Sequence, residues 1–206
     1  KSVLAAISDA KDKLITPQEF LANAGIDFRL KIIGELYGLY QKALKKADAM
    51  DFDDMIVNTV KMLKESPEAL EFYRRRFKYI MVDEYQDTNP AQYMMVKLLA
   101  QESRNICVVG DDDQSIYKFR GATIENILNF DRTYPEAKVI KLEQNYRSTQ
   151  NILNAANAVI ANNIGRKGKR LWTANGEGKP LTVYEANDEG AEANYVANQI
   201  ITGSKG

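Results

Sequence analysis

The chain has 206 residues, of which 45% are hydrophobic and 27% are charged, and its 28 Lys and Arg residues balance its 28 Asp and Glu residues. This composition predicts a folded chain of one or two domains, because disordered chains are poor in apolar residues and carry a high net charge. Zero net charge excludes a protein that is basic over its whole surface, but it allows a local basic patch. The single cysteine, Cys107, excludes a disulfide framework, and the lack of histidine excludes histidine-based catalysis and histidine-ligated metal sites. No stretch approaches the ~20 apolar residues that span a bilayer.

The first 75 residues are predicted to be helical. Residues 16–19 (Thr-Pro-Gln-Glu) form a capping box with proline at the first helical position. Residues 28–46 repeat apolar side chains at helical spacing. Asp51 and Ser66 each precede a segment that we predict to be a further helix.

Beyond residue 78 the pattern changes to short apolar runs that alternate with helices. The helices are predicted to start near residues 89, 123, 149 and 188, and residues 163–180 are predicted to be a loop. This alternation predicts an α/β fold with a mostly parallel sheet, in which Cys107 is a small buried hydrophobe. The predicted strands are residues 79–82, 106–109, 138–142 and 181–184.

Polar segments follow the first three predicted strands, at the sheet edge where ligands of open α/β proteins bind. Residues 83–88 read Asp-Glu-Tyr-Gln-Asp-Thr, and residues 143–148 read Glu-Gln-Asn-Tyr-Arg-Ser. Between them, residues 110–122 carry three aspartates, a glutamine and an aromatic-basic stretch that ends at Gly121 and Ala122. We therefore expect the functional groups of the chain to lie in these three segments.

Adjacent acids such as Asp83 and Glu84 can divide two roles between them. One carboxylate can hold Mg²⁺, and the other can orient or deprotonate an attacking water. Gln114 can bond a phosphate oxygen and a neighbouring group at once. Taken alone, the acid pair is more often a solvated turn, and a loop glutamine can simply bond its own backbone.

The other candidate residues suit a nucleotide or a nucleic acid. Tyr117, Phe119 and Arg120 interleave aromatic rings with positive charge, a pattern that suits bases and phosphates, although core aromatics are the commoner explanation. Tyr146 offers a ring for stacking on a base, and Arg147 can bond phosphate bidentately. The alternative for Arg147 is a structural ion pair with Glu143.

Taken together, the three segments resemble motifs II, III and IV of superfamily 1A DNA helicases of the UvrD/Rep/PcrA type. Residues 51–56 (Asp-Phe-Asp-Asp-Met-Ile) also resemble the segment by which that family re-enters its first motor domain. The resemblance implies RecA-like (P-loop NTPase-type) parallel sheets with helices on both faces, preceded by an α-helical insertion. The domains would be the end of the insertion (1–48), the remainder of the first motor domain (49–140) and the start of the second (141–206).

The same resemblance implies an ATP- and Mg²⁺-dependent enzyme that translocates 3′ to 5′ on single-stranded DNA and unwinds duplex junctions in the cytoplasm. Asp83, with Glu84, would hold Mg²⁺, Glu84 would be the catalytic base, and Gln114 would contact the γ-phosphate. Tyr146 would stack on adenine, and Arg147 would be a γ-phosphate finger. The DNA-binding residues would be Tyr117, Phe119 and Arg120.

Some features of the sequence depart from the family pattern. Phe119 stands where many relatives have tryptophan, and Asp112 adds a negative charge where relatives often have a small residue. No Gly-x-x-x-x-Gly-Lys-[Ser/Thr] segment occurs in the chain, so we expect an excised, nearly inactive fragment of the enzyme. Basic residues at 74–78 and 166–170 are interpreted as solvated faces rather than as DNA contacts. Alternatives are the motor of a helicase–nuclease, or a non-catalytic DNA-binding remnant of the fold.

Overall fold

The computed structural model describes residues 2–117, 121–163 and 166–203. These residues form two compact units. The first unit runs from residue 2 to Ile140 and includes Arg166 and Lys167, and the second contains Lys141–Asn163 and the chain from Gly168 onward. No helix in the described ranges is long and apolar enough to cross a membrane.

The first unit begins with three helices that pack through a small apolar core. They are α1 (Val3–Asp12), α2 (Pro17–Asn23) and α3 (Phe28–Lys46). The predicted capping box is confirmed, because the Thr16 hydroxyl accepts from the Glu19 amide while the Glu19 carboxylate accepts from the Thr16 amide. Buried Ile7 and Tyr37 join α1 to α3 in the core.

Three further helices complete the helical part of this unit, and each begins at a predicted cap. They are α4 (Phe52–Glu65), α5 (Pro67–Arg76) and α6 (Pro90–Ala100). The caps are Asp51, Ser66 and Asn89, whose side chains each accept a hydrogen bond from a first-turn amide. The helix starts follow from local chemistry, because a side-chain oxygen at each cap satisfies an N–H that the helix leaves unpaired.

Two short strands form a parallel sheet in the first unit. They are β1 (Ile80–Val82) and β2 (Ile106–Val108), with Ile80 opposite Ile106. Single turns of 3₁₀-helix follow close behind them, at Tyr85–Asp87 and Asp112–Gln114. Two one-turn helices, α7 (Glu125–Leu128) and α8 (Phe130–Thr133), come next, so the short helix predicted near residue 123 starts slightly later.

The second unit contains α9 (Gln150–Ile160) and α10 (Glu189–Gly203), both close to their predicted positions. An isolated parallel bridge pairs Gln144 with Trp172. The bridge fixes the segment before α9, since the Asn145 amide donates to the Trp172 carbonyl at 2.7 Å and the Trp172 amide donates to the Glu143 carbonyl at 3.1 Å.

Two predicted strands are wrong. Residues 138–142 and 181–184 have no strand structure, and Leu142 and Val183 are 77% and 95% exposed. An apolar run becomes a strand only when a neighbouring backbone pairs with its N–H and C=O groups, and no such partner lies beside either run in the described parts of the chain.

The prediction that Cys107 is buried within the sheet is also wrong. Successive side chains of a strand point to opposite faces. Met81 and Cys107 are paired in register and share one face, and that face is open, since Met81 is 79% exposed and Cys107 is exposed. Only the opposite face of the two strands is partly covered.

Candidate active site

The segments that follow β1 and β2 lie side by side, because parallel strands end at the same edge of a sheet. The ladder continues past the strands themselves. The Val109 amide donates to the Val82 carbonyl at 2.8 Å, and the Tyr85 amide donates to the Val109 carbonyl at 2.9 Å. This pairing brings the segment that starts at Asp83 next to the segment that starts at Gly110.

The acid pair occupies the turn directly after β1. Asp83 and Glu84 are both exposed, and one oxygen of Asp83 accepts the Glu84 amide at 2.9 Å. Glu84 adopts a left-handed backbone conformation, with φ of 49° and ψ of 41°. That conformation costs an L-residue about 1–2 kcal/mol, and residues held in it cluster at functional sites. The turn therefore projects both carboxylates from the end of the strand.

Gln86 lies behind this pair and was not singled out by sequence reasoning. Its side chain is only 1% exposed. Its amide nitrogen donates to Glu84 Oε2 at 2.7 Å, and its amide oxygen accepts the Asp111 backbone amide at 3.0 Å. The signal in the sequence was its place inside the acidic segment, but only the fold shows that it reaches the neighbouring strand end.

Gln114 is held on the second strand end by Asp111. The Gln114 side chain donates to Asp111 Oδ2 at 2.7 Å, while Asp111 Oδ1 accepts the Asp113 amide at 3.0 Å. Gln114 itself is exposed. The candidate base and the candidate phosphate sensor are thus joined through two intermediates, in the order Glu84, Gln86, Asp111, Gln114.

The three aspartates of this loop each bind other groups of the protein. Carboxylate oxygens of Asp111, Asp112 and Asp113 lie within 4.8 Å of one another, a spacing that one cation can bridge. Asp113 nevertheless pairs with Arg166 at 2.7 Å, and Asp112 accepts the Lys167 backbone amide at 2.7 Å. We assign no metal to these three residues, because each already has a protein donor.

The predicted DNA-binding loop is only partly described. Tyr117 is 39% exposed, and Gly121 has a φ of +79°, which favours glycine. Phe119 and Arg120 lie outside the described residues. Their assignment to DNA remains a prediction.

Tyr146 and Arg147 lie in the second unit, on a turn that Asn145 organises. The Asn145 side-chain oxygen accepts the amides of Arg147 and Ser148 at 3.0 and 2.8 Å. Asn175 braces the same turn by donating to the Tyr146 carbonyl at 3.0 Å. The Tyr146 ring is left 78% exposed, so its face is open to a stacking partner.

The alternative ion pair between Arg147 and Glu143 does not form. The Glu143 carboxylate accepts the Arg170 backbone amide at 3.1 Å instead. Arg147 is exposed, and its guanidinium makes no ion pair with any residue that the structure describes. Its charge is therefore available to an anion.

The prediction of solvated basic faces holds for Arg75, Arg76, Lys78 and Arg170, which are exposed, but not for Arg74 and Arg166. Arg74 donates through its guanidinium to the Leu98 carbonyl at 2.9 and 3.0 Å and so joins α5 to α6. Arg166, 21% exposed in its side chain, pairs with Asp113. Both arginines hold neighbouring segments together, which a reading of charge runs alone cannot show.

A separate acidic cavity of about 620 Å³ lies in the first unit between α1, α4 and the start of α6. Asp9, Asp12, Asp53 and Asp87 all line it. Burial, and then the charges of Asp53 and Asp9, raise the pKa of Asp12 to about 6. Asn89 donates to the Asp12 carboxylate at 2.6 Å. Four carboxylates make this cavity unsuitable for a phosphate.

Two helicase family models match the chain and together cover nearly all of it. Residues 1–135 match the family model of the UvrD/REP helicase N-terminal domain, and residues 140–205 match that of the UvrD-like helicase C-terminal domain. The chain belongs to the UvrD/REP helicase family. The family implies a RecA-like fold, of which the described residues form a two-stranded parallel portion rather than a full sheet.

Within this family, the chain is similar in sequence to helicases named PcrA. The chain is 54% identical over 200 residues to the ATP-dependent DNA helicase PcrA of Bacillus subtilis, and 54% identical over 198 residues to that of Staphylococcus epidermidis. It is 52% identical to the PcrA of Staphylococcus aureus. These matches cover 96–97% of this chain but only 27% of each relative, so the chain spans about a quarter of their length.

Proposed function

We propose that the chain is part of the motor of an ATP-dependent DNA helicase, as its PcrA relatives are named. The observation that carries the proposal is the hydrogen-bonded series from Glu84 through Gln86 and Asp111 to Gln114, built at two adjacent parallel strand ends. Such an edge is where α/β proteins bind nucleotides. A base and a phosphate-sensing amide, held in one network, are the groups that phosphoryl transfer to water requires.

In this proposal Glu84 accepts a proton from the attacking water, and Gln114 bonds the γ-phosphate. Asp83, with Glu84 beside it, would hold Mg²⁺. Asp83 fits that role because it is exposed and its carboxylate binds only the neighbouring backbone amide among the described residues. The ion would neutralise negative charge on the phosphates.

Tyr146 and Arg147 would complete the site from the second motor domain. The open Tyr146 ring suits adenine, and the exposed guanidinium of Arg147, which pairs with no acid among the described residues, suits the γ-phosphate as a finger. The corresponding domain assignment is 1–48 for the end of the helical insertion, 49–140 for the first motor domain and 141–206 for the second. The convergence of the two groups of residues on one ATP is part of the proposal.

The proposed substrate is single-stranded DNA next to duplex junctions, with translocation 3′ to 5′. Tyr117, Phe119 and Arg120 would contact the strand, since aromatic faces stack on bases whatever the sequence. The retained acids, Gln114 and Arg147 favour a working motor over a non-catalytic remnant. Because the 206 residues contain no Gly-x-x-x-x-Gly-Lys-[Ser/Thr] segment, we expect the isolated chain to hydrolyse almost no ATP.

The experiment is Glu84→Gln in the intact protein that contains this chain. DNA-stimulated ATP turnover should fall on the order of 10²–10⁴-fold, because general-base catalysis contributes about that much. Nucleotide binding, measured by fluorescence titration, should be retained. Glu65→Gln is the matched control, since Glu65 is exposed at the end of α4, and it should keep normal turnover. Normal turnover in Glu84→Gln would contradict the proposal.

A further inference from the structure

The position of the Glu84 carboxylate depends on a neighbouring side chain. The residue is in the left-handed region, where an L-residue is strained, and its side chain is exposed. An exposed glutamate carboxylate samples several rotamers unless a neighbour holds it. The one side chain among the described residues that donates to it is Gln86, at 2.7 Å.

The orientation of the Gln86 amide is fixed by its other end. Its oxygen accepts the backbone N–H of Asp111 at 3.0 Å, and a backbone N–H can only donate. The amide nitrogen must therefore face Glu84. A flipped amide would set a donor against the Asp111 N–H and an oxygen against the Glu84 carboxylate.

Gln86 is buried and closely packed by its neighbours. Its side chain is 1% exposed, and the Ser115 hydroxyl donates to its backbone carbonyl at 3.4 Å. Gly110 passes so close that a Cβ there would lie 2.5 Å from the Gln86 amide oxygen and 3.2 Å from the Tyr85 nitrogen. Glycine is thus needed at this position for the second strand end to reach Gln86.

We propose that Gln86 is a positioning residue for ATP hydrolysis, which holds the Glu84 carboxylate and ties it to the loop that carries Gln114. Asp111 connects the two glutamines, since its backbone amide donates to Gln86 and its carboxylate accepts from the Gln114 side chain. A displacement of Gln114 by the γ-phosphate would then move the donor on which Glu84 rests. This inference rests on the proposed function, because it assigns Gln86 a task only if Glu84 is the base.

The test compares Gln86→Met with wild type in the intact protein. Methionine has nearly the shape of glutamine but cannot donate to Glu84. We expect kcat to fall on the order of 10²-fold, the effect of a misplaced catalytic group, with the KM for ATP changed less than about threefold, because Gln86 does not touch the nucleotide in this scheme. Gly110→Ala should give the same split, since its methyl group would lie 2.5 Å from the Gln86 amide oxygen, although it would also crowd Ile127 Cδ1 at 2.8 Å.

Gln41→Met is the control for simple loss of a partly buried amide that donates to a carboxylate. Gln41 also donates to a carboxylate, that of Asp54 at 2.9 Å, but it lies on α3, away from the strand ends. It should lower the unfolding midpoint and leave kcat unchanged. A purely structural role for Gln86 would make Gln86→Met behave like Gln41→Met, which would overturn the inference.

A double-mutant cycle with Glu84→Gln separates the two proposals. If Gln86 acts through Glu84, Gln86→Met should change turnover less than about threefold in the Glu84→Gln background, because residues that act as a unit are not additive. Full additivity would refute the positioning role while leaving the base assignment intact. Normal turnover in Glu84→Gln alone would instead refute the proposed function, whatever Gln86 does.

Discussion

Among the described residues of the first unit, Lys11 forms the most buried ion pairs. Replacing it tests directly how α1 is held against α4. Its ammonium lies 2.6 Å from Asp51 Oδ2 and 2.8 Å from Asp54 Oδ1. The side chains of Lys11 and Asp54 are 1% and 5% exposed, whereas that of Asp51 is 25% exposed. Lys11→Met keeps the apolar stem of the side chain and removes only the charge.

The expected loss of unfolding free energy is about 3 kcal/mol. Removing one partner of a buried pair costs roughly 3–5 kcal/mol, because an uncompensated charge stays buried. Here the cost should lie at the lower end, since Tyr40 still donates to Asp51 at 3.0 Å and Gln41 still donates to Asp54 at 2.9 Å. Burial raises the pKa of Asp51, but the Lys11 bond and the Asp54 amide outweigh it and lower the pKa overall.

The measurement is urea unfolding of the 206-residue chain at pH 7, followed by far-ultraviolet circular dichroism, which reports mainly the helices of the first unit. Lys13→Met is the matched control, because Lys13 pairs with Asp9 in an exposed i,i+4 contact with side chains 49% and 37% exposed. The control should change stability by less than about 0.5 kcal/mol. Equal effects of the two substitutions, or a loss below about 1 kcal/mol for Lys11→Met, would refute the argument.

Three other expectations concern substitutions of single residues. The pKa of Asp12 is raised to about 6 from 3.8, so the native state binds the proton more tightly, and stability should fall as pH rises from 4 to 6. Asp12→Asn should remove that loss and stabilise the chain at pH 7.5 by about 1 kcal/mol in urea unfolding, because solvent screens much of the charge effect at this half-exposed carboxylate; an unchanged pH dependence would contradict this. Asn89→Ala should cost about 1 kcal/mol through the lost cap of α6, and an unchanged urea midpoint would disprove it. Arg147→Ala should slow ATP turnover on the order of 10³–10⁵-fold in the intact protein, with Arg170→Ala as the control; an effect below tenfold would exclude a finger.

Features set by neighbours in the sequence were predicted well. The helix starts at Thr16, Asp51, Ser66 and Asn89 were all confirmed, because a cap depends on residues within one turn of it. The order of the three motifs also identified the family, because residue types and their spacing are read directly from the sequence.

Features that depend on distant partners were predicted poorly. Residues 138–142 and 181–184 have the apolar composition of strands, but a strand forms only beside another backbone, and the chain supplies none there in its described parts. Cys107 was placed inside for the same reason. Its residue type predicts burial, but burial depends on whether something covers that face of the sheet.

The role of Gln86 could not be predicted from the sequence, because it also depends on a distant partner. In the sequence it is one polar residue among several, and nothing local indicates that Asp111, 25 positions later, supplies its second partner. The close approach of Gly110, which makes the contact possible, is also a property of the paired strands. Sequence patterns located the segment, but the connection between base and sensor required the register of the sheet.

The fold supplies partners for the aspartates in the loop after β2 that the motif alone does not reveal. In the sequence, Asp112 adds an unexplained negative charge where phosphates are expected. In the structure Asp113 pairs with the Arg166 guanidinium, which offsets its negative charge, whereas Asp112 accepts a hydrogen bond from the neutral Lys167 backbone amide.

Asp83 and Glu84, by contrast, face no basic side chain in the described part of the chain. Unpaired carboxylates beside a triphosphate are unfavourable unless a cation or a transferred proton compensates them. In the proposed site, Mg²⁺ at Asp83 and the proton that Glu84 takes from the attacking water would supply that compensation. The exposure of the two carboxylates gives those assignments an electrostatic reason that is independent of the motif.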